Sequence, residues 1–174
     1  MFSRFLPFLC TMAVMVSCSN DNILRNKLRN VYSTPLIIPD SGVVFIDHSN
    51  CDLHQDGILN SEYVLFVFCG PDECSTCTMN KMSEWNSFLN LEKEGKITMR
   101  FMFNPPKHEI DNMIVAYHTS GLEHSVELDT CGAFLKKNPQ IPQASIFHVL
   151  LLDHDGNPLH NKDVRKLFYE IIEN

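Results

Sequence analysis

The sequence predicts an α/β fold with parallel and antiparallel strand pairs, on three observations. YVLFVF (63–68) is an unbroken apolar run, as expected of a central strand covered on both faces of a sheet. A helical stretch follows it and leads to a second strand-like run, ITMRFMF (97–103), and a connection of that length can return parallel to its start. SIFHVLLLD (145–153) is a further strand, and HDGNP (154–158) behind it contains Asp155-Gly156, a hairpin signal.

The elements follow in order. The folded part begins near Pro35 with a short strand, GVVFID (42–47), and a polar loop holding Cys51. Behind CGPDECSTC (69–77), the residues Met79, Met82, Trp85, Phe88 and Leu89 recur at helical spacing and Gly95 closes the segment, so a helix of about five turns is expected. Asp72, Glu73 and Ser75 lie near its start, where acids and hydroxyls suit a helix N-terminus.

NPPK stops the second strand, and Ile110, Met113, Ile114 and Tyr117 outline a helix ended near Gly121. VELD (126–129) reads as a short strand, and DTCGAFLKKNP as a short helix capped by Asp129 or Thr130. Val164, Leu167, Phe168, Ile171 and Ile172 line one face of a terminal helix capped by Asn161. The order is βαβ, then αβα, then ββα.

The N-terminus predicts export. One charge, Arg4, precedes an apolar stretch from Phe5 to Val16 and then Ser17-Cys18. A segment of about twelve residues is too short to span a bilayer as a helix, which needs roughly twenty, so 1–17 reads as a signal peptide. Met15-Val16-Ser17-Cys18 resembles the lipobox of bacterial lipoproteins, which implies lipid attachment at Cys18 and a place in the bacterial cell envelope, periplasm-facing or at the surface. Residues 18–34, polar and Asn-rich, then form a tether in which Ile23, Leu24 and Leu28 could make a short amphipathic turn, and 35–174 form one domain.

The chain carries 14 basic and 21 acidic residues, a net charge of −7. Loss of Arg4 with the signal leaves 13 against 21, or −8, and an acidic, unpatterned surface excludes nucleic acid as a partner. Of seven cysteines, Cys10 leaves with the signal and Cys18 takes lipid; Cys51, Cys69, Cys74, Cys77 and Cys131 remain. Five is odd, so at least one thiol stays free, binds something or pairs elsewhere.

Cys74-Ser75-Thr76-Cys77 is the candidate site. A Cys-x-x-Cys in the first turn of a helix behind a buried strand puts its first sulfur beside unpaired backbone N–H groups, which favours the thiolate. Cys74 is then the attacking thiol, and Cys77, one turn on, resolves the mixed disulfide.

FVFCGPDECSTCTMNKMSEW (66–85) and IFHVLLLDHDGNPL (146–159) resemble the thioredoxin-like family, in particular the secreted, lipid-anchored thioredoxin-like proteins of Bacteroidetes-type bacteria. The resemblance runs from about Val43 to Asn174. It implies a thioredoxin-like three-layer α/β/α sandwich with a mixed central sheet. Thiol-disulfide exchange with protein thiols and disulfides is the implied chemistry, with a membrane thiol carrier as electron donor. No dissociable cofactor and no metal are implied. The chain departs from the family at Glu73, where Trp is common and whose charge would oppose a thiolate. It departs also in the acid-free YVLFVF strand, and near Phe147, where a cis-proline would stand; the nearest prolines are Pro139 and Pro142.

Other readings stay open. A redox-inactive envelope module could keep the fold as a binding or structural unit and use a Cys74–Cys77 disulfide as a staple. Cys69-x4-Cys74-x2-Cys77 with Cys131 has [2Fe-2S] spacing, although a cluster wants an extended loop and not a strand running into a helix. Cys74 and Cys77 with Met79, Met82 or His148 would suit Cu(I), yet the methionine spacing is that of a helix core. Peroxidase chemistry lacks a Thr ahead of Cys74. Cys69, at the end of a buried strand, is expected as an apolar filler or as a partner of Cys51 or Cys131.

Overall fold

A computed structural model describes residues 23–39, 42–47, 61–142 and 148–160. The signal peptide, Cys18, Cys51, the start of the SIFHVLLLD strand and the expected terminal helix lie outside the described residues.

Five strands form one mixed sheet: β1 (Val43–Ile46), β2 (Tyr63–Cys69), β3 (Ile97–Phe103), β4 (Val126–Asp129) and β5 (Val149–Asp153), in the order β1-β4-β3-β2-β5. β2 pairs parallel with β3 on one side and antiparallel with β5 on the other. The central place and the parallel pairing expected for the YVLFVF strand are therefore present, and the antiparallel pairing with β5 makes the sheet mixed. β3 pairs parallel with β4, and β1 closes that edge antiparallel to β4.

The unbroken apolar run of β2 follows from its position. Successive side chains of a strand point to opposite faces. Leu65, Val67 and Cys69 enter one core with Met79, Met82, Phe101, Met113 and Tyr117. Phe66 and Phe68 enter a second core with Phe134, Met102, Leu150 and Leu152. The first core is roofed by α2 (Ser75–Met79), α3 (Leu89–Lys93) and α4 (Ile110–Thr119), the second by α5 (Ala133–Lys137) and the chain around Val31 and Leu36. Helical layers on both faces of a mixed sheet make the α/β sandwich that the resemblance implies.

Two elements differ from expectation. The five-turn helix behind the cysteines is broken: α2 ends at Met79, Met82–Phe88 is a 3-10 helix, and α3 resumes at Leu89. Met79, Met82, Trp85 and Phe88 recur at intervals of three, which suits three residues per turn better than 3.6. Asn86 adds a lateral pull, donating to the Gly121 carbonyl at 2.8 Å and accepting from Glu123 N at 3.0 Å.

The second difference is at the N-terminal side. Residues 23–32 form a helix, α1, where a short turn within a tether was expected. Ile23, Leu24 and Leu28 are exposed on it, whereas Val31 is fully buried in the second core. Leu36 N donates to Gly156 O at 2.8 Å, and the Asn138 amide brackets Ile37, accepting from its N–H and donating to its carbonyl, both at 2.8 Å. These contacts with residues far along the chain hold the segment.

Candidate active site

The site grows from the end of β2. Gly70-Pro71-Asp72-Glu73 makes a tight turn in which Glu73 N donates to Gly70 O at 3.2 Å. The Glu73 carboxylate reaches back and accepts from Gly70 N at 2.8 Å, so each end of the turn satisfies the other. The turn delivers the chain at Cys74, the N-cap of α2, with extended backbone (φ −72°, ψ 94°).

Cys74 and Cys77 form a disulfide with Cα atoms 5.2 Å apart, and both residues are exposed. The pair predicted from spacing is thus brought together at the surface. Cys74 Sγ accepts from Cys77 N at 3.2 Å. A sulfur that caps a helix in this way meets an unpaired N–H whether it is bonded or released as thiolate. Because α2 has five residues, local N–H groups, and not the dipole of a long helix, supply this stabilisation.

Cys69 lies beneath the pair, buried at 1% exposure, and its Sγ donates to the buried Ser75 hydroxyl at 3.8 Å. Burial pushes its thiol pKa up, against the hydrogen bonds of Thr78 and Ser75, which pull it down. It is a core thiol, poor as a nucleophile or metal ligand. Cys131 is free and exposed, its Sγ 3.6 Å from Asp129 Oδ1, so Cys69 and Cys131 are not paired with each other. Among the described residues, no group of three or more His, Cys, Asp or Glu side chains is placed to hold a metal ion. Met79 and Met82, the alternative copper ligands, are core residues.

Sequence reasoning missed the partner of Glu73. His148, the residue entering β5, is 4% exposed and points both ring nitrogens at acceptors. Nδ1 lies 2.8 Å from Glu73 Oε2, and Nε2 lies 3.1 Å from the Pro142 carbonyl. Its ring packs edge-on against Phe68 at 5.1 Å, and its carbonyl accepts from Phe68 N at 2.7 Å. The carboxylate that threatened the thiolate is therefore already engaged. A histidine ahead of an apolar strand, with an acid beside the cysteines, was the available signal.

An open groove of about 420 Å³ runs beside the disulfide. Val67, Val149, Met82 and Trp85 give it apolar walls, and Lys81, just before the 3-10 helix, and Glu84 within it add one charge of each sign.

No family model matches the chain, and no curated protein does. A similar solved structure is that of a thioredoxin-like protein from Bacteroides caccae, 17% identical, with a TM-score of 0.45. The likeness covers 92% of this chain and 56% of that one, so this chain spans little more than half its length. The fold rests on the chain's own topology: a motif strand inside a mixed sheet, a cysteine pair at the start of the following helix, a parallel return and an antiparallel neighbour. This is a thioredoxin-like α/β fold.

Proposed function

We propose that the protein is a thiol-disulfide oxidoreductase of the bacterial cell envelope, held there by lipid on Cys18 and working through the Cys74-Ser75-Thr76-Cys77 dithiol. The observation that carries this reading is the exposed Cys74–Cys77 disulfide with Cys74 Sγ on the N–H of Cys77. The lipobox-like Met15-Val16-Ser17-Cys18 supports the anchor.

In the reducing direction the Cys74 thiolate attacks a partner disulfide. One partner sulfur leaves as a thiolate and takes a proton, and Cys74 is left in a mixed disulfide. Cys77 loses its proton and attacks the Cys74 sulfur, expelling the second partner thiolate and restoring the Cys74–Cys77 disulfide. Two electrons pass to the partner, and a dithiol donor of the membrane, by the same chemistry in reverse, returns them.

Reduction of insulin disulfides by the full chain tests the reading. Cys74→Ser is expected to abolish turnover, and Cys77→Ser to accumulate the mixed disulfide. Unchanged turnover in Cys74→Ser removes that sulfur from the mechanism. A redox titration separates catalysis from a structural staple: a catalyst cycles reversibly at potentials set by envelope thiols, and a staple stays oxidised well below them. Mass spectrometry of the processed protein is expected to find lipid on residue 18.

A further inference from the structure

The His148–Glu73 contact has a protonation requirement that its geometry imposes. A carbonyl and a carboxylate oxygen cannot donate, yet each faces a ring nitrogen of His148, at 3.1 Å and 2.8 Å. Both contacts are hydrogen bonds only if the imidazole carries two protons or the carboxyl carries one. In either arrangement the pair holds the same proton count and has no net charge.

That neutrality matters for the adjoining residue. A bare carboxylate beside Cys74 disfavours its thiolate, and a neutral pair does not. Among the described residues, the other groups near His148 are Phe68 from β2, Leu135 from α5, and the Gly70-Pro71-Asp72 turn, of which Asp72 alone is titratable. Around Cys74, Lys81 and Glu84 share the groove. None of these changes when His148 or Glu73 is replaced.

We propose that His148 is a positioning residue for thiol chemistry at Cys74: it holds Glu73 in a pair without net charge and so removes the carboxylate's repulsion from the thiolate formed when the disulfide opens. This rests on the reading of Cys74 and Cys77 as a working dithiol. It assigns a role to a residue that touches neither sulfur partner nor substrate and acts through Glu73 alone.

The test uses the reduced full chain with Cys77→Ser as background, and reads the midpoint of the pH profile for alkylation of Cys74 by iodoacetamide. His148→Gln keeps hydrogen-bonding capacity but not the charge, and should raise the midpoint by on the order of 0.5 to 1 pH unit. Glu73→Gln takes away a carboxylate whose charge the pair already cancels and should leave the midpoint at or below the background value, and the double variant should match it. A purely structural role for the contact loosens the same turn in both single variants and moves both midpoints the same way, which overturns the proposal. If His148→Gln does not fold, Glu73→Gln decides alone, since a raised midpoint sinks the idea. Absent insulin reduction by the unaltered protein would sink the oxidoreductase reading while leaving these midpoints readable. Intact reduction with an unmoved midpoint in His148→Gln would sink this inference only.

Discussion

Arg100 on β3 and Glu127 on β4 meet as a bidentate pair inside the sheet, Nε to Oε1 and Nη2 to Oε2 both at 2.7 Å, with side chains 8% and 6% exposed. Removing one partner strips the other buried charge of this bidentate pairing and costs about 3–5 kcal/mol. Glu127→Gln and Arg100→Met should each lower the urea-unfolding free energy by that order. The double replacement Arg100→Met with Glu127→Leu should recover most of it. Single losses below about 1 kcal/mol would show that the pair is well solvated.

His124 predicts a pH dependence. Burial works to lower its pKa, but the Glu92 hydrogen bond and charge, the Ser125 carbonyl and the charge of Glu127 outweigh it, and the net shift is upward. The native state then binds more protons than the unfolded state, so stability falls as pH rises. The contribution is complete below the unfolded value of about 6.5 and is lost as pH climbs through the raised folded value. Unfolding free energies measured from pH 5.5 upward should decline over that window in the unaltered protein, and the decline should flatten in Glu92→Gln. An equal slope in the variant would dismiss His124 as its source.

Gly156 occupies a conformation other residues adopt with strain, φ +80°, and a Cβ there would stand 2.7 Å from the Leu36 carbonyl oxygen. Gly156→Ala should therefore cost about 2 kcal/mol or more. It should also weaken the Leu36 N to Gly156 O bond that ties the N-terminal segment to the β5 turn. Faster limited proteolysis near residues 33–38 would report the loosening, and an unchanged cleavage rate would argue that Asn138 holds the segment unaided.

Asp129 is fully buried at the end of β4, and its two carboxylate oxygens accept from Ala133 N and Phe134 N, both at 2.8 Å. It caps α5, although Gly132 occupies the position just before the helix. Asp129→Ala leaves one buried and one part-buried donor without this acceptor and should cost about 2–4 kcal/mol. Asp129→Asn retains one acceptor and should cost about half as much. Equal losses in thermal or urea melts would mean that charge, not hydrogen bonding, is what the cap supplies.

Much of this arrangement was legible residue by residue. YVLFVF read as a central strand because only a strand covered on both faces is apolar at every position, and β2 is that strand. Asp129 was available as a cap because acids favour the first N–H groups of a helix. The 3-10 segment was visible in the interval of three from Met79 to Phe88, but helical spacing in a short window fits either period. Docking of α1 was not legible: its apolar residues are few, and Val31 finds its burial only among residues of the second core.

The sequence by itself determined the strands β2 and β3 and the place of Cys74 and Cys77 at the start of the helix between them, because periodicity, caps and spacing act within a few residues. Tertiary structure alone decided the rest. Glu73 meets His148 across 75 positions and Arg100 meets Glu127 across 27, and no local pattern specifies which charges burial will bring face to face. The sheet makes those choices, since register sets neighbours and exclusion of water obliges each buried charge to find a partner.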